Sequence, residues 1–341
     1  MGRKNKEYSK DLHQQAYDRL TSMLAFGESK TDAKIREEDF YKIFSFNTYK
    51  TYWKHTKYFI RWINDHHPEC TTLKAARKYV NEWLQERVEQ GLSAWTIQTE
   101  AKAMGKLYNI RPDNQNYFKP PKRKREDIKR SRTDAVRDRH FSVTNNDELI
   151  KFCKGVGCRR AALAQLKGED LWTRAEMEEE LRIASQDPEY RPEGADLNAL
   201  ANMREALLMF QDQEYFIHFI KDKGGRSRFS PIIGKNKNQI IERMVNTIPG
   251  KKVWEHIPTN ADIHSYRADY ANAIYKKYSR DVNTIPYNET IIVNGKRKKA
   301  LYVCRRDEAK KKLDRAAMIK CSKALGHNRE SVVADNYLRG L

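Results

Sequence analysis

Apolar residues recur at helical spacing through most of the first hundred positions. Leu12, Ala16, Leu20, Met23 and Leu24 form one stripe, so residues 9 to 26 read as a helix capped by Ser9 and stopped by Gly27. Positions 28 to 45 are charged and irregular. From Asn47 to His66, Tyr49, Tyr52, Trp53, Thr56, Phe59, Ile60 and Ile63 keep the helical period, and Pro68 follows the end. Thr72 caps a helix that turns Leu73, Ala76, Val80, Trp83, Leu84 and Val88 one way, and Gly91 ends it. Ser93 caps another, with Ile97, Ala101, Met104 and Leu107 inside. The pattern predicts a helical domain over 1–112, with Trp53, Phe59 and Trp83 in its core. Lys50, Lys54 and Lys57 fall between these aromatics, either solvated or meeting phosphate.

The period fails between 113 and 140. Pro120-Pro121 stops any helix, and Lys122-Arg123-Lys124-Arg125 opens a basic run that continues to Arg139. This reads as a linker, either solvated or tracking a phosphate backbone.

Past 140 the pattern is mixed. Asn145 or Thr144 starts a helix through Leu149, Ile150 and Phe152. Thr173 caps Arg174–Ala184, and Leu197–Phe210 is another helix. The period then drops to two: Tyr215 to Ile220 and Arg228 to Ile233 flank Gly224-Gly225 as a β-hairpin. Helices follow at Lys237–Val245 and after a cap at Asn260 or Thr259. Thr290 to Val303 reads as a second hairpin about a type I′ Asn294-Gly295 turn. A helix from about Glu308 to Ala324 is broken by Gly326, and a short last helix is capped by Ser331 or Asn328. The expected fold is mainly α with small β elements (α+β), over 141–341 as a second domain.

Charge narrows the partner. Lysine and arginine number 66 against 46 acids, a net charge of +20, which favours nucleic acid over an anionic membrane. No apolar run reaches the eighteen residues or so of a membrane span, and no apolar stretch behind the basic start resembles a signal peptide. Five scattered cysteines, none in a CxxC pair, read as reduced thiols in a cytosolic protein.

The chemistry-bearing residues come in a fixed order. Gly157-Cys158-Arg159 opens a segment closed by Leu163 and Leu166; Lys221-Asp222-Lys223-Gly224-Gly225-Arg226 sits at the first hairpin tip. His264 and Arg267 are three apart and share a helix face; Leu325-Gly326-His327 precedes Tyr337 by ten positions, counted from the histidine. Each station alone is a common accident, and a hairpin-tip lysine is usually solvated. No cysteine or acid repeats a ligand spacing around His264 or His327, so zinc is not expected.

Taken together, these stations resemble the active site of the tyrosine recombinases, the lambda-type or phage integrases. The resemblance spans a helical core-binding domain, linker and catalytic domain, and implies a C-shaped clamp around duplex DNA. It selects Arg159 over Arg160 and Lys223 over its rival Lys221. It implies Tyr337 as nucleophile forming a 3′-phosphotyrosyl link, and Arg159 and Arg267 as phosphate clamps. Lys223 is the implied general acid, His264 the base or proton shuttle, and His327 a hydrogen-bond donor to the phosphate. Lys122, Arg123, Lys124 and Arg125 are the linker's candidate DNA-binding residues. The link conserves bond energy, so no cofactor, ATP or metal is implied. Implied partners are double-stranded attachment sites of a phage or conjugative transposon, a homo-tetrameric synapse and an accessory directionality factor, in a bacterial cytoplasm.

The chain departs from the family pattern in three places. Ala162 stands where an acid is expected three positions after the arginine; the His327–Tyr337 spacing is one longer than in many relatives; four residues follow Tyr337. Two rivals share part of this reading: a type IB topoisomerase-like relaxing enzyme, and a catalytically inactive DNA-binding regulator on the same scaffold, which Ala162 favours.

Overall fold

Short polar side chains decide where most helices of the first unit begin. The computed structural model describes residues 11–124, 141–187, 189–192, 198–222, 227–305 and 308–338. The chain divides into two compact units, Met1–Asp127 and Ile128–Leu341, so the boundary falls inside the basic 113–140 stretch.

In the first unit, Asp11 caps α1 (Leu12–Thr21) by accepting from the Gln14 N–H at 2.7 Å; the expected cap, Ser9, lies outside the described residues. The helix is shorter than its apolar stripe. Met23 and Leu24 leave it and pair with Ile43 as an isolated bridge, with Ile43 N–H donating to Met23 at 2.7 Å. The charged stretch expected to be irregular holds α2 (Lys30–Ile35), capped by Ser29, and a 3-10 turn at Asp39–Tyr41. Ser45 caps α3 (Phe46–His66). The helix expected after Thr72 is interrupted: α4 (Leu73–Ala76), a 3-10 turn at Arg77–Tyr79, then α5 (Val80–Glu89). Ser93 caps α6 (Ala94–Tyr108), which Asn109 ends in the left-handed region at φ 56°. Phe59 and Trp83 are buried and Trp53 packs half-buried against their cluster.

The second unit is mainly helical with small antiparallel sheets. It begins with α7 (Asp147–Val156) and α8 (Arg160–Leu163). β1 (Leu171–Thr173) was not expected; it adds a third strand to the sheet by pairing Leu171 with Ile217. Thr173 and Glu176 form a capping box on α9 (Arg174–Gln186), and α10 (Ala199–Met209) follows. β2 (Tyr215–Phe219) pairs antiparallel with β3 (Arg228–Pro231), in register Phe219 to Arg228. Every residue of β3 is buried, so both its faces are covered. α11 (Lys237–Val245) and α12 (Ile263–Tyr278) come next. The cap of α12 is Asp262, which accepts from Ser265 N–H at 3.1 Å, and not Asn260 or Thr259.

The second hairpin ends earlier than its apolar pattern. β4 (Thr290–Val293) and β5 (Lys296–Lys299) flank Asn294 and Gly295, both at positive φ (49° and 73°). Leu301 instead opens β6 (Leu301–Val303), which pairs with β7 (Lys312–Asp314). That pairing removes residues 308–314 from the expected helix, and α13 (Arg315–Ala324) starts at an Asp314 cap. α14 (Ser331–Asn336) has Glu330 at its N-cap, with no side-chain capping bond from Asn328 or Ser331. α12 and α13 pack together through Tyr270, Ile274, Ala317, Met318 and Cys321, in a core that also takes Val333, Ala334, Tyr337 and Leu338. Among the described residues, no helix is long and apolar enough to cross a membrane.

Candidate active site

The carbonyl end of α13 is the floor of the site. Its last residues form a Schellman turn: Gly326 N–H donates to Lys323 at 2.9 Å and His327 N–H to Ser322 at 2.7 Å. The carbonyls of Ala324 and Leu325 are left for side chains. Arg228 and Ser230 from β3 donate to Ala324, the serine at 2.8 Å, and Arg267 from α12 donates to Leu325. Two cations at the negative end of a helix dipole are favourably placed. Both arginines also donate to Gly157 at the end of α7. Gly157 has φ +60°, and a side chain there would run into the Tyr270 ring. Four distant segments therefore meet around two buried guanidiniums.

Arg267 completes its fork on the tyrosine: its Nε donates to Tyr337 Oη at 3.2 Å. Tyr337 follows α14 directly and is 6 % exposed, held by Val333 and Leu338 in the core cluster. His264, one turn before Arg267 on α12, stacks on the Tyr337 ring with centroids 5.5 Å apart and planes 12° off parallel. His327 Nε2 lies 3.4 Å from Tyr337 Oη. The ring nitrogen in hydrogen-bond range of the hydroxyl is thus that of His327, while His264 lies face to face with the ring.

Arg159 precedes α8 with an extended backbone, which turns its side chain away from that helix toward Asp222 just after β2. Asp222 also accepts from Arg228 Nε at 3.2 Å. Lys223 lies outside the described residues; Lys221 is described and exposed. Arg160 differs from Arg159 in role. Its guanidinium ties down the loop before α12, donating to Pro258 at 2.8 Å and Ala261 at 2.6 Å.

The electrostatics favour an anion. Burial, then Arg267, Arg159 and Arg228, push His327 down to about 4, and burial with Arg267 holds His264 below its ordinary value. Both imidazoles are therefore neutral near pH 7. Burial and the neighbouring Arg267 lower Arg228 to about 10, so it stays charged. Three guanidiniums, Arg159, Arg228 and Arg267, surround one carboxylate, Asp222, so the site carries excess positive charge.

Of the residues singled out in the sequence, Arg267, His264, His327 and Tyr337 are brought together, and Arg159 joins them through Asp222. Lys122, Arg123 and Lys124 belong to the other unit and are exposed; Arg123 stands 5.4 Å over the Trp95 ring. Arg125 lies outside the described residues. Sequence reasoning missed Arg228, Ser230 and Asp222. The one available signal was Arg228 and Ser230 alternating with Phe229 in a strand that runs on into apolar Ile232-Ile233. Among the described residues, no group of three or more histidines, cysteines and acids is placed to hold a metal ion. No protein-family model matches the chain, and no curated protein matches it.

Proposed function

We propose that the chain is a site-specific DNA recombinase of the tyrosine class, an integrase that cuts and rejoins duplex DNA through a 3′-phosphotyrosyl intermediate. One observation carries the reading: Tyr337 Oη sits between Arg267 Nε and His327 Nε2, with His264 stacked on its ring. A tyrosine in such a setting is a nucleophile in waiting, and guanidiniums beside it serve charge that develops on a phosphoryl group. Each terminal nitrogen of Arg267 bonds one backbone carbonyl and carries a second N–H that a non-bridging phosphate oxygen accepts from.

In the reaction the tyrosine oxygen attacks phosphorus and loses its proton to a neutral imidazole. The bond to the 5′ oxygen breaks, and that oxygen takes a proton from Lys223. Attack by another 5′-hydroxyl reverses these steps and frees the tyrosine. The geometry favours His327 as the acceptor while Tyr337 is docked, leaving His264 to orient the ring and to shuttle the proton onward. The same reading extends to a two-domain clamp on DNA, a four-subunit synapse at attachment sites and an accessory directionality factor.

Covalent capture tests it. Nicked duplexes with a randomised centre are incubated with the protein, and adducts surviving denaturation are recovered and sequenced. The wild type is expected to yield adducts joined to the 3′ side of a cut at one preferred sequence, and Tyr337→Phe none. Binding without any adduct would return the chain to the inactive regulator. Adducts without sequence preference, together with relaxation of any supercoiled plasmid, would make it a relaxing enzyme.

A further inference from the structure

Resting on that reading, we propose that Asp222 is the positioning residue for Arg159, supplying from the end of β2 the carboxylate support absent at Ala162. The residue three positions after Arg159 is a methyl group buried in the apolar cluster of Leu149, Phe152 and Leu163. Nothing there can orient a guanidinium. The counter-charge arrives from the opposite side. Asp222 is 3 % exposed in its side chain and pairs through one oxygen, Oδ2, with both Arg159 Nη1 and Arg228 Nε.

Arg228 is itself immobilised by Ala324 and Gly157, so the shared oxygen is fixed from a rigid partner. Arg159, with 23 % of its side chain exposed, is the less enclosed member and takes its direction from that oxygen. A carboxylate between two guanidiniums also relieves their repulsion in a site that Arg267 already makes cationic. It leaves the outer part of the Arg159 fork open toward solvent, where a phosphate enters.

The test uses a duplex recovered by the covalent capture, and measures single-turnover adduct formation and equilibrium binding separately. Asp222→Asn is expected to form adduct about 100-fold more slowly, the loss typical of a misplaced catalytic group. Its DNA affinity should stay within about threefold of wild type, because removing a negative charge does not weaken phosphate binding. Asp222→Glu keeps the charge and serves if the asparagine variant fails to fold; it is expected to fall between the two. Combining Asp222→Asn with Arg159→Ala should be no slower than Arg159→Ala alone, since the carboxylate acts through that arginine. Wild-type rates in both Asp222 variants, or rate losses that merely follow lost binding, would overturn the assignment while leaving the recombinase reading intact. Absence of any adduct from the wild type would overturn both.

Discussion

Gly326 makes room for Arg228: a Cβ on the glycine would stand 2.7 Å from Arg228 Cδ. The glycine also has φ +68°, as the Schellman turn requires. The Leu-Gly-His motif is therefore a packing device before it is chemistry. It ends α13, exposes two carbonyls to two arginines, and directs His327 toward Tyr337.

Gly326→Ala is accordingly expected to cost about 1–2 kcal/mol from the backbone alone, with more from displacing Arg228. In a domain of this size that lowers the melting temperature by roughly 2–4 °C per kcal/mol. Adduct formation should fall much further than stability does, because the displaced side chain shares Asp222 with Arg159. Differential scanning calorimetry beside the covalent assay checks this; an alanine variant with wild-type rate would show that Arg228 is not needed in place.

Much of this arrangement was legible in the sequence, and the missing part has a common cause. Ser93, Thr173 and the helical spacing of α3 located their elements closely, because caps and periodicity are local. The expected helix from Glu308 failed because Lys312–Asp314 pairs with Leu301–Val303, and no local window contains that partner. The break inside 73–88 and the three-residue β1 are likewise tertiary outcomes, too short to have a period. In the site, the order of stations pointed to Arg159, His264, Arg267, His327 and Tyr337. Arg228 and Asp222 stayed hidden because their role exists only where α7, β3, α12 and α13 converge.

The linker makes a salt-dependence prediction. Replacing Lys122, Arg123, Lys124 and Arg125 by alanine should reduce the slope of log K against log salt by about 0.9 for each phosphate no longer neutralised. Arg123→Ala alone removes a side chain that stands over the Trp95 ring, and should give a smaller change. Fluorescence anisotropy between low and moderate salt measures both. An unchanged slope in the fourfold variant would make this segment a tether.

Acid should weaken the second unit in a way that His327 reports. Its folded value, about 4, lies below the ~6.5 of an exposed histidine. The unfolded chain therefore takes up the proton first as pH falls. This contribution is fully present above about pH 6.5 and is lost progressively as the pH drops toward 4. His264, also lowered, acts in the same direction. Asp170 opposes them, since burial raises it to about 6 and its carboxyl form favours the fold at low pH. His327→Gln removes one titration and leaves the others. Its melting temperature relative to wild type should rise as pH is lowered from 7 to 4.5; a constant difference would mean that His327 titrates normally.

The basic ribbon β4–β5 is fastened to the segment that carries the nucleophile. Lys298 reaches Glu330 at 2.8 Å, Arg315 reaches the same carboxylate oxygen at 2.6 Å, and Asn294 Nδ2 donates to the Asn328 carbonyl at 3.2 Å. Glu330, 6 % exposed, stands at the start of α14, seven residues before Tyr337. Arg315 also donates to the Lys299 carbonyl at 2.6 Å, which ties the ribbon to α13 as well. A two-stranded ribbon is marginal alone, so these bonds hold it and α14 to each other. Glu330 is the buried member of this cluster and holds both cations, so Glu330→Gln, which weakens both contacts at once, should loosen α14. Hydrogen exchange is expected to show faster opening of the amides of 333–338 while those of α12 stay protected. Lys298→Met, which leaves Arg315 on the carboxylate, should produce the same change at smaller size. Binding to a single half-site should be nearly intact in both variants, and strand exchange should fall in proportion to the loosening. Unchanged exchange in Glu330→Gln would leave the ribbon a surface decoration, with no hold on Tyr337.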